Sequence, residues 1–179
     1  MNNKAFTLIE ILVAVLIIGI LAAIAVLQYR VIVSKTRFQQ YRVLGDAIVA
    51  AEERFYLANG FYTRELDELD VSVPFSNCEF RNPSDWSYSR LFCIKENIAV
   101  YVNVYEGQVS VMPVSDAGNS FEYVRAFQHP NSPSTVAPAP SCSIDTRYSG
   151  TKHDFSESVC KNLGTHMRTT SNHKYYVLK

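Results

Sequence analysis

The chain has 179 residues with 17 basic and 17 acidic side chains, so its formal net charge is zero. This length has room for one domain and an anchoring segment, and the balanced charge lacks the basic excess of nucleic-acid-binding proteins. The sequence contains no glycine-rich phosphate loop, no Gly-x-Ser-x-Gly and no His-Glu-x-x-His motif. Nothing in it therefore points to an enzyme or to a bound cofactor.

The first thirty residues are dominated by an apolar segment. No charged residue interrupts the 17 residues from Ile11 to Leu27. Counted from Phe6, this segment would be roughly 33 Å long as a helix, about the thickness of the hydrocarbon core of a bilayer. Its one charge is Glu10, and an ionisable group at mid-bilayer costs about 2.5 kcal/mol or more. Glu10 is therefore expected either at the headgroup edge or beside a cation that another chain supplies.

A helical pattern continues beyond the apolar segment. Apolar residues recur at spacings of three and four, which predicts one apolar stripe along a helix: Phe38, Tyr41, Leu44, Ile48, Ala51, Phe55 and Ala58. Arg42 and Asp46 lie off this stripe and, four residues apart, can pair. Asn59-Gly60 is a typical helix end. We therefore predict one helix from Phe6 to about Ala58, whose stripe is covered by the rest of the chain.

The residues after this helix predict a loop with one short helical turn. Thr63 can cap that turn, with Leu66 and Leu69 facing inward. The acidic residues around the leucines lack the glycine and the ligand spacing of a calcium-binding loop, which favours a solvated surface; they are Glu65, Asp67, Glu68 and Asp70. We expect the segment Pro74–Pro83 to be irregular.

Strand patterns follow from Trp86 onward. The clearest is a hairpin in which Ile98–Tyr105 alternates, Glu106-Gly107 turns and Gln108–Met112 returns. Three further segments have the composition of strands: Trp86–Lys95, Phe121–Phe127 and Lys174–Leu178. The Pro-, Ser- and Ala-rich segment His129–Pro140 is typical of an exposed connector. The sequence thus predicts an α+β fold in which an antiparallel sheet lays one face on the stripe of the long helix.

The four cysteines are Cys78, Cys93, Cys142 and Cys160. In a chain that crosses a membrane they indicate an oxidising compartment and two disulfides. Of the three pairings that four cysteines allow, we favour Cys78–Cys93 and Cys142–Cys160 because each closes a local loop. Zinc binding is the alternative, since His153 and His166 interleave with the second pair. No Cys-x-x-Cys or His-x3-His spacing is present, so no metal site is predicted.

Residues 4–29 form a composite motif. A short basic leader ends at Ala5, and Phe-Thr-Leu-Ile-Glu follows at residues 6–10. The apolar run then contains Gly19 and ends in Ala-Ala-Ile-Ala at residues 22–25 and Gln28-Tyr29. This order resembles the type IV pilin and pseudopilin family. The resemblance implies that a prepilin peptidase cuts between Ala5 and Phe6 and methylates the new Phe6 amine. It also implies that Glu10 neutralises such an amine, its own or a neighbour's, during fibre assembly.

Two positions depart from the pattern of the family. The residue before the cut is usually Gly there and is Ala5 here, which is a small substitute. The family often carries a bending Pro where this chain has Leu27. Because Leu is a good helix former, we expect less of a kink, and helix flexibility is then expected to rest on Gly19. The resemblance further implies that Val159–Gly164 ends a C-terminal disulfide-bounded loop.

These expectations divide the chain into four parts. They are a leader at 1–5, a transmembrane and assembly half-helix at 6–28, an amphipathic half-helix at 29–59 and a globular head at 60–179. Lys4 places the N-terminus in the cytoplasm, with a single span in the inner membrane before assembly. The implied function is that of a structural subunit of a type IV pilus fibre. Its partners would be copies of itself, the prepilin peptidase, the inner-membrane assembly machinery and, before assembly, membrane lipid.

Two other functions are compatible with the sequence. One is a pseudopilin of a type II secretion system, in a periplasmic pseudopilus. The other is a soluble secreted domain, because Ala23-Ile24-Ala25 resembles a signal-peptide cleavage site and cleavage after Ala25 would release the head. Arg125, Lys152 and Lys161 could contact DNA, but the balanced charge argues against nucleic acid as a partner.

Overall fold

The computed structural model describes residues 7–63, 65–72, 75, 77–81, 90–104, 106–114, 121–128 and 139–179. Within these residues the chain forms two helices, a short 3₁₀ turn and eight strands. The elements in chain order are α1 (Leu8–Asn59), the 3₁₀ turn (Leu66–Glu68), β1 (Asn77–Arg81), β2 (Arg90–Lys95), β3 (Ile98–Asn103), β4 (Gln108–Pro113), β5 (Phe121–Ala126), β6 (Ser141–Asp145), α2 (Thr151–Leu163), β7 (Gly164–Thr169) and β8 (His173–Leu178). The predicted α+β class, a long helix followed by an antiparallel sheet, is confirmed.

The eight strands form one sheet in the order β1-β2-β3-β4-β5-β6-β8-β7. All seven neighbouring pairs are antiparallel. The predicted hairpin is the pair β3–β4, in which Val100 lies opposite Val111 and Val102 opposite Val109. At the end of the sheet β7 pairs only with β8, and the register shifts between His166 and Arg168. The last hairpin therefore forms one edge of the sheet.

Helix α1 confirms the single long helix predicted from the two apolar patterns. It ends at Asn59, where Gly60 has a φ of +80°, a backbone conformation that glycine adopts without steric cost. The amide of Gly60 donates to the carbonyl of Tyr56 at 2.7 Å. The chain divides into two compact units, residues 1–36 and residues 37–179. The domain boundaries expected from the sequence, at 28/29 and 59/60, remain a prediction.

The core of the second unit lies between α1 and the sheet. The ring of Phe38 meets the rings of Phe121 and Tyr123 edge-on at 5.8 and 5.9 Å between centroids. Ile48 and Ala51 are fully buried on the same helix. The stripe predicted from the sequence is thus the packing face of α1, except at its last position: Ala58 is exposed. The stripe therefore ends one turn earlier than predicted, at the half-buried Phe55.

Several elements were predicted wrongly or not at all. The segment Pro74–Pro83 was expected to be irregular, but it contains β1, whose sequence Asn-Cys-Glu-Phe-Arg has no clear apolar alternation. The segment enclosed by Cys142 and Cys160 was predicted to be bounded by a disulfide, and it is, but most of strand β6 and helix α2, which lie within it, and strand β7, which follows α2, were not predicted. In α2 the residues Phe155, Val159 and Leu163 follow a four-residue spacing, which is a helical signal that the polar composition obscures.

The local predictions around the strands need three corrections. Strand β3 ends at Asn103, and it is buried on both faces, because Ala99 and Asn103 are buried as well as the valines. The 3₁₀ turn begins after Glu65, and no side chain caps it. Thr63 instead accepts a hydrogen bond from the Glu65 amide at 3.1 Å. The expected strand residues 86–89, Tyr105 and most of the expected connector, 129–138, lie outside the described residues.

Candidate assembly segment and the head that anchors it

The first turn of α1 is closed by a reciprocal pair of hydrogen bonds between Thr7 and Glu10. Glu10 Oε2 accepts from the Thr7 amide at 2.8 Å and from the Thr7 hydroxyl at 2.7 Å. The Glu10 amide in turn approaches the Thr7 hydroxyl oxygen at 3.4 Å. This is a capping box, in which a hydroxyl residue and a Glu three positions later satisfy free amides at a helix start. Within one chain, Glu10 therefore has a local hydrogen-bonding role besides the one expected in a fibre.

The capping box was missed by the sequence analysis, although a signal for it exists. Thr7-Leu8-Ile9-Glu10 is a Thr-x-x-Glu pattern immediately before an apolar run, which is the usual signature of a helix start. The expected processing residues, Ala5 and Phe6, lie outside the described residues. Cleavage there, methylation of Phe6 and the salt bridge of Glu10 remain predictions.

The apolar side chains at the start of α1 are exposed among the described residues. All large apolar side chains from Leu8 to Val26 are 45–82% exposed. In the described part of the chain, α1 is the one helix long and apolar enough to cross a membrane, and its most apolar window has a mean hydropathy of 3.0. A signal sequence near the N-terminus has a similar length and composition.

Gly19 and Leu27 are the two positions at which the sequence makes predictions about bending of this helix. No atom of the described residues outside its own helix lies within 4 Å of the place where a Cβ of Gly19 would stand. The backbone is helical both at Gly19 and at Leu27. The proposed flexibility at Gly19 therefore stays a prediction, and it rests on the intrinsic freedom of glycine.

A polar cluster links α1 to strand β5 in the head. The carboxylate of Asp46 accepts hydrogen bonds from Tyr123, at 2.5 Å, and from the guanidinium of Arg125. The predicted partner on the same helix, Arg42, is more distant, at 3.7 Å. Burial of Tyr123, with a further contribution from Asp46, raises the pKa of this phenol. The pairing of Arg42 with Asp46 is confirmed, but the stronger ties of Asp46 go to the sheet.

Close approach of α1 to the sheet depends on Gly45. A Cβ at this position would lie 2.6 Å from the ring of Tyr123 and 3.3 Å from a methyl group of Val111. Tyr123 is fully buried, so its ring has no space to move into. The sequence analysis did not single out Gly45, because a glycine inside a helical pattern shows its packing role only when the facing residue is known.

A buried carboxyl group ties the loop after α1 to the helix. Glu52 is fully buried, and its Oε2 accepts from the Thr63 amide at 3.2 Å. Its Oε1 has no hydrogen-bond partner among the described residues. Burial raises the pKa of Glu52 to about 8, although the bond from Thr63 acts in the opposite direction. The group is therefore mainly a neutral carboxylic acid at pH 7.

Aromatic contacts and an ion pair also tie the loop after α1 to the helix. Tyr62 stacks on Tyr56 and on Phe127, with centroids 4.6 and 4.3 Å away. Asp70, one of the acidic residues expected on a solvated surface, is exposed and pairs with Arg54 through two hydrogen bonds of 2.6 Å. No group of three or more acidic, histidine or cysteine residues suited to a metal ion occurs in the described part of the chain.

The two disulfides are those favoured from the sequence. Cys78–Cys93 joins directly opposed residues of β1 and β2, and Cys142–Cys160 joins β6 to α2. The sulfurs are therefore unavailable as zinc ligands, which removes the alternative in which His153 and His166 complete a metal site. Of the basic residues considered for DNA contact, Arg125 pairs with Asp46 and Lys161 with Glu157.

Comparison with known proteins identifies the N-terminal motif. Residues 1–26 match the family model of the prokaryotic N-terminal methylation motif. This match covers the N-terminal segment of the chain. It is also similar to the "Type IV major pilin protein PilA" of Myxococcus xanthus (strain DK1622), with 30% identity over 96 residues. The predicted resemblance to the type IV pilin family is thereby confirmed.

The comparison with the pilin covers only part of both proteins. The alignment spans 47% of this chain and 44% of the length of that relative. No solved structure matches the chain significantly. The family signature thus concerns the N-terminal segment and its processing motif, whereas the head of this pilin-like chain is known from its own structure.

Proposed function

We propose that the chain is the structural subunit of a type IV pilus fibre. The observation that carries this proposal is the combination of the methylation motif at residues 1–26 with a helical segment whose large apolar side chains are all 45–82% exposed. Such a surface must be covered by lipid or by protein. In the proposed function, lipid of the inner membrane covers it before assembly and copies of the same chain cover it in the fibre.

The fibre is favoured over the secretion-system pseudopilus by one observation. The relative found by sequence comparison is described as a major pilin. In either assembly, removal of residues 1–5 by the prepilin peptidase would leave Phe6 with a free, then methylated, amine. The head would stand outside the cytoplasm, where the two disulfides persist.

Glu10 is proposed to set the register of subunits. Lipid tails are as apolar as the segment itself, so apolar burial alone gives little preference for one packing over another inside a membrane. A carboxylate and an amine that meet in an apolar environment each remove the desolvation cost of the other. The capping box shows that Glu10 also has a local task at the helix start, and an experiment must separate the two roles.

Three variants in the native host make this separation. Glu10→Gln keeps the side-chain acceptor of the capping box but removes the charge, and Thr7→Val removes the hydroxyl but keeps the charge. Glu10→Ala removes both roles. Fibre yield is measured by shearing cells and immunoblotting the sheared fraction, with the membrane fraction as the control for insertion.

The proposal predicts that Glu10→Gln and Glu10→Ala still insert in the membrane but give less than a tenth of the wild-type fibre yield. Thr7→Val should retain most of the yield. If Glu10→Gln assembles normally, the charge has no role in register. If wild-type chain is absent from sheared fibres under all growth conditions, the pilus proposal fails and the pseudopilin alternative takes its place.

A further inference from the structure

A concave site lies at the edge of the sheet, next to the C-terminal end of α2. Its volume is about 570 Å³ and it is broadly open to solvent, and α2, β7 and β8 all contribute to its wall. The described residues that line it are Glu157, Lys161, Gly164, Thr165, His166, Thr169, Lys174 and Tyr176. Three of these, Thr165, His166 and Thr169, carry hydrogen-bonding groups on β7, which is an edge strand of the sheet as far as the described residues go.

The electrostatics of this pocket are unbalanced toward positive charge. The ammonium groups of Lys161 and Lys174 each lie 3.1 Å from the same oxygen, Glu157 Oε1. Tyr176 donates its hydroxyl hydrogen to that oxygen as well, at 2.7 Å. Glu157 is the one acidic residue among the described residues that line the pocket. The ammonium groups of Lys161 and Lys174 therefore exceed the single carboxylate of Glu157 by one positive charge, without counting His166.

The hydrogen bonds from Tyr176, Lys174 and Lys161 lower the pKa of Glu157 to about 2. The carboxylate is therefore ionised at any ordinary pH and holds both ammonium groups within about 6 Å of each other, since each lies 3.1 Å from one oxygen. Each ammonium group has three donors, and the contacts with Glu157 account for one on each. Two donors on each ammonium group are therefore left over from these contacts.

We propose that this pocket binds one small oxyanionic group, a carboxylate, phosphate or sulfate, between Lys161 and Lys174. The second positive charge supplies the attraction, and Glu157 holds the two lysine side chains close together in the absence of ligand. His166 and Thr169, which lie 3.1 Å apart at Nε2 and Oγ1, offer further polar contacts at the wall. Gly164 also lines the pocket, and no side chain fits at this position, because a Cβ would lie 2.2 Å from the carbonyl oxygen of Val177.

The test is a titration of the full chain in nonionic detergent micelles, followed by ¹H–¹⁵N NMR at low ionic strength. The probes are sodium sulfate, sodium phosphate and sodium glucuronate, with sodium chloride at equal ionic strength and neutral glucose as controls. We expect saturable shifts of the amides from Gly164 to Thr169 with the oxyanions and none with chloride or glucose. Glucuronate binding at least tenfold tighter than phosphate or sulfate would identify an acidic sugar, and equal affinities would identify the free oxyanion.

Variants of the three charged residues decide whether the shifts come from this pocket. Lys174→Gln and Lys161→Gln should each weaken oxyanion binding at least tenfold. The matched control Lys95→Gln, which removes an exposed lysine of β2, should leave it unchanged. Glu157→Gln should strengthen binding severalfold, because it removes the negative charge that competes for the two ammonium groups, while its side-chain oxygen can still accept hydrogen bonds from them and keep them close together.

Each of these variants is first compared with the wild type by the positions of amide signals outside the pocket, which report an intact fold. Lys161→Gln provides a safe second test of the lysine pair, since its side chain is 61% exposed and Lys174 remains on Glu157 without it. The absence of saturable shifts, or equal affinities for wild type, Lys161→Gln and Lys95→Gln, would overturn the proposal.

Discussion

The two halves of helix α1 differ in where their apolar side chains find cover. From Leu8 to Val26 these side chains are 45–82% exposed, whereas Phe38 and Ile48 are 0% exposed beneath the sheet. One continuous helix therefore has apolar side chains that the sheet buries and apolar side chains that are exposed in the single chain. Residues 38–55 have an apolar stripe along one side of the helix, because only that side packs against the sheet. Residues 11–27 are apolar on all sides, as expected for a segment surrounded by lipid or by other helices. An apolar stripe with helical spacing is therefore expected only where one side of a helix is covered.

The head is held by covalent links that the first unit lacks, and removing one of them should give the largest effect. Cys142→Ala with Cys160→Ala opens a loop with a sequence separation of 18 and should lower the free energy of unfolding by about 3 kcal/mol. Urea unfolding of the full chain in nonionic detergent, followed by tyrosine fluorescence, measures it. The helical content of residues 8–26 should not change, because no disulfide reaches them. A variant as stable as the wild type would show that α2 docks without the covalent link.

The next effect concerns pH and the buried Glu52. Its pKa is about 8 in the folded chain and ordinary, near 4.3, in the unfolded chain. The folded state therefore binds more protons, so stability is greatest below about pH 4 with respect to this group and falls as the pH rises toward 8. Between pH 5 and pH 7 the loss should be roughly 2–3 kcal/mol, since the slope is close to its limit of about 1.4 kcal/mol per pH unit across this range.

Glu52→Gln should flatten this part of the pH profile and raise stability at pH 8. It keeps a side-chain carbonyl that can accept from the Thr63 amide. Glu65→Gln, at an exposed position of the same loop, serves as the control and should leave the slope unchanged. An unchanged slope in Glu52→Gln would mean that another group governs the profile.

Two glycines in α1 compare the covered and uncovered halves of the helix directly. Gly45→Ala should destabilise the head by roughly 1–2 kcal/mol, because overpacking against the Tyr123 ring exceeds the gain in helix propensity. Gly19→Ala meets no atom within 4 Å and should leave head stability unchanged while it increases helicity. Unfolding curves and circular dichroism measure the two effects. Equal effects at both sites would contradict the assignment of one covered and one uncovered surface.

The smallest effect distinguishes the two arginines at Asp46. Arg125→Met breaks an ion pair between α1 and β5 and should cost about 1 kcal/mol, since Arg125 is partly exposed and the bond is partly screened. Arg42→Met breaks a more distant pair within the helix and should cost at most a few tenths of a kcal/mol. If Arg42→Met costs as much as Arg125→Met in the same unfolding assay, the contact with the sheet is not the stronger one.

Much of the contrast between the exposed half and the buried half of α1 could be predicted from the sequence, because it depends on local periodicity. The extent of α1, the stripe from Phe38 to Phe55, the hairpin β3–β4 and both disulfides follow from spacing within short windows of sequence. The end of α1 at Asn59 was similarly marked by its glycine. Each of these features depends on residues that are near neighbours in the chain.

The features that escaped prediction depend on distant partners. Gly45 has a role only because Tyr123 faces it, and Asp46 prefers Arg125 because β5 is laid across the helix. From its residue type Glu52 would be expected at the surface, and its burial in the folded head is apparent only from the structure. Helix α2 was missed because its polar residues, among them His153 and Ser156, are buried by tertiary packing, and the pocket beside Lys174 arises only where α2 meets the last hairpin.

The proposal that the exposed half of α1 enters a fibre is tested most directly by the mature N-terminus. Intact-mass and N-terminal analysis of the protein from its native host should show a chain that begins at methylated Phe6. A gain of about four hydrogens on reduction, two for each disulfide, should accompany it. A chain that begins at Val26 would contradict the account, because the apolar segment would then be a discarded signal sequence and Glu10 would be absent from the mature protein.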